Sequence, residues 1–278
     1  MKLINPSFEI IEQAPGLKGL KQAIERAGRT CYKSEDKITE DSCEEFTQRM
    51  VNSGHHAMLE HGTVYLYIKY GSPLDNDNEY FKLVDIAIKY KKNKYSVVNT
   101  KVENTYWHHC WITTNYRVLV ENGWLDDLQY QCDPTEHHEK RITVKFILPI
   151  SISREFIRHR TASFAEQSTR YCNYSRDKFG GELTFIKPYW YNKYKEEFES
   201  SCQYYEDTYM MAIESGLKAQ EAREMLPLCT KTELVMTAFT SDWKHFFELR
   251  CHSTAHPDAR ALALPLKETF IEKGYING

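Results

Sequence analysis

Three arginines, a histidine and a carboxylate fall within Arg158-His159-Arg160-Thr161-Ala162-Ser163-Phe164-Ala165-Glu166-Gln167-Ser168-Thr169-Arg170-Tyr171, alongside four hydroxyl side chains and two aromatics. Neither a helix with one apolar face nor an alternating strand needs that mixture. Guanidinium groups are rigid forks of five donors that match phosphate oxygens bidentately, so arginines converging from one short segment suit a phosphorylated ligand. The alternative is a solvated basic face whose arginines pair with acidic helices elsewhere, and the chemistry alone leaves both open. Charge is focused here: between Arg154 and Lys178 six Lys or Arg stand against three Asp or Glu, in a chain of net charge −3. Such a focus inside a mildly acidic protein fits a small anion better than a polymer, and the overall balance argues against a general nucleic-acid binder.

The chain has 278 residues, 41% hydrophobic and 27% charged, enough for one large domain or two modest ones with a substantial core. No run approaches the ~20 apolar residues of a membrane span, and the stretch from Met1 to Gln13 lacks the form of a signal peptide. The expected setting is cytoplasmic, without a membrane partner. Eight cysteines are scattered without a Cys-x-x-Cys pair, as expected of reduced thiols. His55-His56, His108-His109-Cys110, Cys132 and His137-His138 fit no standard zinc spacing, so no metal is expected.

The elements that must position the motif follow from periodicity. Leu17, Leu20, Ala23, Ile24 and Ala27 predict a helix over 16–29, and Thr39 with Ser42 opens a second that ends near Gly54. Thr63 to Lys69 alternates as a strand. A turn at Gly71-Ser72-Pro73 and Asp75 to Asn78, a helix over 79–92, irregular or strand-like sequence to Ile112, and a short helix from Thr114 to Asn122 closed by Gly123 come next. Arg141 to Ile150 alternates as a half-buried strand, leading to a short helix that Ser151 or Ser153 would cap and that carries Arg158, so the motif begins where helix gives way to loop. Beyond it are a turn at Phe179-Gly180-Gly181, a strand over 183–186, a long helix over 194–215, a short one over 220–226, a strand over 232–240 and helices over 242–251 and 258–273. Tyr204, Tyr205, Tyr209, Met210 and Met211 read as core or subunit interface.

Arg-His-Arg, then seven residues and Ser, with Arg two later and Tyr next, closely resembles the signature of the flavin-dependent thymidylate synthases. Other segments resemble that family in its own order. Gly54-His55-His56-Ala57-Met58-Leu59-Glu60-His61 is similar to the Gly-His segment that ends in Glu-His before a strand. Ala222-Arg223-Glu224-Met225-Leu226-Pro227-Leu228 is similar to Ala-Arg-x-x-Leu-Pro-Leu, and Phe246-Phe247-Glu248-Leu249-Arg250 to Asn-Phe-Leu-x-Leu-Arg. The resemblance covers roughly 25–69 and 150–265, so 1–278 is expected to be one domain with an insertion at about 70–141. Thr113-Thr114-Asn115-Tyr116-Arg117 echoes a flavin-holding Thr-x-Asn-x-Arg segment, far out of order.

What the resemblance implies is an α+β fold, an antiparallel sheet flanked by helices, that methylates dUMP to dTMP. It implies FAD as cofactor, methylenetetrahydrofolate as carbon donor, NADPH as reductant, and a homotetramer with shared active sites. Arg158, Glu166, Ser168, Thr169, Arg170, Arg223 and Arg250 would bind dUMP, and Arg158, His159, Arg160, His61 and His245 would hold FAD. Arg250, Ser168 and His61 would form the catalytic set, with Arg250 polarising the base and His61 and Tyr171 bordering the flavin and folate space. Ser168 is not expected to be a covalent nucleophile, because no histidine lies at a spacing that suggests a base for it.

This sequence departs from the family at several positions. His245 stands for the usual Asn, Phe239 and Ser241 for Asn and Arg, Ala165 for Asn, Thr254 and His256 in the His-Ala-Gln region, and Glu155 for Gln. Nucleotide binding is therefore better supported than the details of flavin binding. The competing readings are a related dCMP C5-modifying enzyme, a non-catalytic nucleotide-binding or regulatory module, and a zinc-organised interaction protein built around 108–138.

Overall fold

The computed structural model describes residues 1–71, 77–176 and 180–277; the turn expected at Ser72-Pro73 and Asp75, and Phe179, lie outside them. The chain begins with strands β1 (Lys2–Ile4) and β2 (Ser7–Ile11), then helices α1 (Gly16–Tyr32) and α2 (Ser42–Asn52). A 3-10 turn, His56–His61, leads into β3 (Thr63–Tyr70), followed by α3 (Asp77–Lys92), β4 (Val97–Glu103), β5 (Trp107–Asn115) and α4 (Tyr116–Asn122). Next come β6 (Arg141–Pro149), α5 (Ile150–Phe156), β7 (Ser163–Glu166), β8 (Thr184–Ile186), α6 (Lys195–Glu214) and α7 (Ala219–Ala222). The chain closes with β9 (Lys231–Phe239), α8 (Thr240–Arg250) and α9 (Pro257–Glu272).

The α+β architecture expected from sequence is present, with antiparallel sheets flanked by helices. One sheet has the order β2-β6-β9-β7 and the second β3-β5-β4, both antiparallel, while β1 and β8 form a small parallel pair. Alternation explains the first sheet. Val144, Phe146 and Leu148 of β6 and Leu234, Met236 and Ala238 of β9 bury one face with Trp243, Phe246 and Phe270 from α8 and α9. Each fully buried large side chain contributes roughly 1.5–3 kcal/mol. On the other face Val235 packs with Ala27 of α1, so β9 is covered on both sides.

The segment from 70 to 141 belongs to the fold's second core. β5 pairs along its length with both β3 and β4, and Leu66, Ile68, Tyr90 and Ile112 pack with Leu20, Ile24 and Phe46 of α1 and α2. Those two helices meet closely at Gly28, where a Cβ would lie 2.5 Å from the Phe46 ring. Tyr209 of α6 is fully buried in a third cluster with Leu183 and Phe185, whereas Tyr204 and Met211 are exposed.

Five local expectations change. The helix expected from Thr114 starts at Tyr116, because β5 runs on to Asn115, whose side chain accepts from the Val118 amide at 3.2 Å as the N-cap. Neither Ser151 nor Ser153 caps α5: Pro149 occupies the N-cap, and Ser153 Oγ donates to the Ile150 carbonyl. The helix ends at Phe156, placing Arg158 just beyond it. Within the motif, Ser163 to Glu166 is strand, because Ser163 and Ala165 bury against β9. Arg223 begins a 3-10 turn, Arg223–Met225, rather than lying in a helix.

Candidate functional site

At the end of α8, Arg250 is held by three hydrogen bonds. Its Nε donates to His159 Nε2 at 3.1 Å, Nη1 to Glu155 Oε2 at 2.9 Å and Nη2 to the Glu155 carbonyl at 2.6 Å. Glu155 lies in the last turn of α5, and His159 rests on Phe246 with ring centroids 5.0 Å apart. Burial, then the charges of Arg250 and His245, push the His159 pKa down to about 4, so the ring is neutral at neutral pH. His245 is exposed, its centroid 6.0 Å from that of His159, and Arg158 is exposed nearby in sequence.

Beyond the other end of β7 lies the Gln167–Arg170 loop. The Gln167 amide donates to the Glu233 carbonyl at 2.8 Å and the Ser168 amide to the Cys31 carbonyl at 2.9 Å. The amides of Tyr171 and Cys172 donate to the Ser168 carbonyl, and the Arg170 amide reaches Ser168 Oγ at 3.3 Å. Tyr171 packs on Tyr32 with centroids 5.2 Å apart, and the Arg170 guanidinium lies over the Tyr171 ring. Glu166 accepts from Thr232 Oγ1 at 3.1 Å. Thr169 is half-buried in the loop.

Between these groups the two sheets meet at His61 and Arg141. His61 is sealed, its Nδ1 2.8 Å from Thr237 Oγ1, and burial followed by the charge of Arg141 pushes its pKa down to about 3. In the single chain His61 does not border an open space as expected: it is enclosed at the sheet junction and is not among the residues lining the groove into which Arg141 opens. Arg141 donates to the Glu60 carbonyl at 2.8 Å and to Ser163 Oγ at 3.1 Å, while its buried Nε has no partner among the described residues. Burial lowers the Arg141 pKa to about 10, with Tyr65, Glu60 and Asp242 opposing.

Arg141 opens into a groove of about 950 Å³ whose walls include Arg160, Ser163, Asn115, Arg117, Lys94 and Phe239. Of the five residues expected to hold flavin, Arg160 alone lines it. The out-of-order segment ending in Asn115 and Arg117 is thus brought beside the motif. Arg141 and Lys94 went unrecognised in the sequence; an arginine at the first position of a buried strand was the available signal for the former.

The chain does not gather all the expected residues in one place. β7 alone spans about 13 Å at ~3.3 Å per residue, so Arg160 and the Ser168–Arg170 loop stand at opposite ends of a strand. Arg223 is on its own turn, 3.6 Å from Glu224, and among the described residues makes no hydrogen bond or ion pair to another expected site residue. Among the described residues Arg158, Arg160 and Arg170 are exposed and have no ion pair, unlike Arg250. No three His, Cys, Asp or Glu side chains among those residues converge as metal ligands would.

The family model described as thymidylate synthase complementing protein matches residues 105–273, beginning inside the segment expected to be an insertion. A flavin-dependent thymidylate synthase of Geobacter sulfurreducens is 33% identical over 118 residues, covering 41% of this chain and 49% of that protein. One from Thermotoga neapolitana is 31% identical over 145 residues, covering 50% and 65%. The chain thus spans about half the length of most of the curated relatives it matches. Among solved structures, a UMP/dUMP methylase, PolB, from Streptomyces cacaoi bound with 5-Br dUMP aligns over 98% of this chain and 93% of that one, with 16% identity and a TM-score of 0.45.

Proposed function

Since this chain belongs to the thymidylate synthase complementing protein family, matched over 105–273, we propose that it is a flavin-dependent enzyme that methylates C5 of dUMP. The observation that carries the reading is the trio of exposed arginines, Arg158, Arg160 and Arg170, without ion pairs among the described residues, in a chain of net negative charge. Arg170 lies within the hydroxyl-bearing loop, where an unpaired cation is available to an anion and a phosphate dianion is the match in geometry and charge, while Arg158 and Arg160 lie beyond the other end of β7.

In this reading Arg170, Ser168, Thr169 and Glu166 form the nucleotide loop, with Arg170 on the phosphate and Arg223 and Arg158 completing the site from elsewhere. Arg250 faces the pyrimidine. It is fixed by Glu155 and His159, so its remaining N–H donors are preorganised to stabilise negative charge building on a base carbonyl. Neutral His159 holds Arg250 without competing for that charge. His61 acts through Thr237 rather than by contact. Because the arginine groups lie at different ends of β7, a complete pocket requires more than one copy, and a homotetramer with shared sites is the assembly proposed.

The groove beside Arg160 suits FAD. Its volume is within the range of small-molecule sites, Phe239 supplies an apolar wall, and Arg141 Nε supplies an unsatisfied buried donor. Arg160 and Lys94 would meet the pyrophosphate, Arg117 being engaged by Glu60 and Glu121 at the groove wall, and Arg158, His159 and His245 of a neighbouring copy would complete the site. When bound, flavin supplies the hydride that finishes the methyl group, with NADPH as reductant and methylenetetrahydrofolate as carbon source.

The test is reconstitution. Protein mixed with FAD and gel-filtered should retain flavin absorbance, gain ~2.7 kcal/mol of stability at 100 times the dissociation constant, and convert dUMP to dTMP with methylenetetrahydrofolate and NADPH. Protein that retains no flavin and shows no thermal shift contradicts the reading.

A further inference from the structure

Glu233 is a carboxylate inside β9, buried to 3% exposure, on which three ammonium groups converge. Lys33 Nζ lies 2.6 Å and Lys145 Nζ 2.5 Å from its oxygens, and Lys231 Nζ is bonded to it as well. Glu35 adds a second carboxylate, 3.3 Å from Lys33 and 3.6 Å from Lys145. Three positive and two negative charges leave a net +1. Burial would raise the Glu233 pKa, but the charge of Lys231 and hydrogen bonds from Lys145, Lys231 and Lys33 outweigh it and hold the carboxyl at about 2. Burying these charges costs desolvation that an apolar residue would not incur, and a retained buried ionic cluster of this kind is consistent with a role in fixing one local conformation.

Glu233 and Lys231 bond directly to the Gln167–Arg170 loop, and the end of α1 that carries Lys33 touches it as well. The Glu233 carbonyl accepts the Gln167 amide, and Lys231 Nζ donates to Gln167 Oε1 at 3.0 Å. Cys31, two residues before Lys33, accepts the Ser168 amide, and Tyr32 packs on Tyr171. Lys33 itself has φ 48° and ψ 56°, the left-handed region, where a side chain other than glycine is strained. Lys33 is the C-cap of α1, where the Ser34 amide closes on the Arg29 carbonyl, and from that left-handed position its side chain reaches Glu233 across 200 positions of sequence.

We infer that Glu233, clamped by Lys33, Lys145 and Lys231, is a positioning residue for the nucleotide: it sets the Gln167–Arg170 loop to receive a phosphate ester and leaves a net positive charge beneath it. The inference rests on the nucleotide reading above.

Two variants test it in the full-length protein. Lys33→Gly keeps the left-handed backbone without strain and removes the reach to Glu233; Lys231→Met removes the bond to Gln167. Hydrogen exchange at the Gln167, Ser168, Tyr171 and Cys172 amides is read without ligand, and calorimetry compares dUMP with deoxyuridine, which lacks the phosphate. In both variants exchange at Ser168 should quicken about tenfold and dUMP should bind about tenfold more weakly, while affinity for deoxyuridine stays the same and the kinetic loss falls on KM rather than kcat. Unchanged exchange in both variants overturns the positioning role whatever the ligand. Faster exchange with unchanged dUMP affinity overturns its link to phosphate. If wild-type protein binds no dUMP while exchange responds as expected, the substrate reading fails and the positioning of the loop stands.

Discussion

His159 Nε2 accepts the Arg250 Nε–H at 3.1 Å, which assigns the imidazole proton to Nδ1 and fixes the guanidinium whose Nη atoms are bound to Glu155. A protonated His159 would set two cations against each other. This pair therefore makes the candidate site sensitive to acid.

Stability should fall as pH drops from about 6.5 toward 4. The folded-state pKa values are depressed, His159 to about 4 and His61 to about 3, from an ordinary value of 6.5. In that window the unfolded chain binds protons that the folded chain does not, so the unfolding free energy rises with pH, by up to about 1.4 kcal/mol per pH unit for each histidine. Denaturant titrations across the window measure the slope, and His159→Asn should flatten it. A variant with the wild-type slope contradicts the assignment for His159.

Arg170→Ala should weaken dUMP binding by about ten- to a hundredfold, since a charge-assisted bond contributes roughly 1.5–3 kcal/mol. Calorimetry measures it, and unchanged affinity removes Arg170 from the phosphate.

Glu155→Gln should tighten dUMP binding by about fivefold. The Glu155–Arg250 pair is partly exposed and contributes on the order of 1 kcal/mol; a glutamine oxygen still accepts from Nη1 and the main-chain carbonyl still holds Nη2, so the guanidinium stays positioned while its charge, no longer offset by a carboxylate, acts more fully on the base. Weaker binding in the variant would show that Glu155 serves the site directly.

Phe246→Ala should cost about 3–5 kcal/mol, the usual range for a buried aromatic, and remove the surface on which His159 rests. The readout is the denaturant midpoint with an unchanged m-value. A loss below about 1 kcal/mol would mean the site's floor is built otherwise.

The fold was legible where one face is apolar. Val144, Phe146 and Leu148 alternate, Leu20 and Ile24 recur at helical spacing, and both patterns placed their elements within a few residues. The strand Ser163–Glu166 was hidden because its residues carry chemistry rather than alternating hydrophobicity, and its place is set by pairing with β9. The loop around Ser168 could be read from local spacing. Its support could not, because Lys33, Lys145 and Glu233 are joined only by the fold; a lone carboxylate in the run Lys231 to Phe239 was the one local sign that a buried cation must meet it. Enclosure of His61 likewise depends on Arg141 and Thr237, far from it in sequence.

Under the proposed function this chain acts at C5 of a uracil nucleotide, and the most direct measurement is tritium release from nucleotide labelled at C5. dUMP and dCMP are run in parallel with FAD, NADPH and methylenetetrahydrofolate. A guanidinium can only donate hydrogen bonds; uracil offers it carbonyl oxygens at C2 and C4, whereas cytosine presents an amino donor at C4 and would leave Arg250 poorly paired there. The account predicts release that requires the full set of cofactors and is faster from dUMP. Absence of release from either nucleotide, or faster release from dCMP, contradicts it.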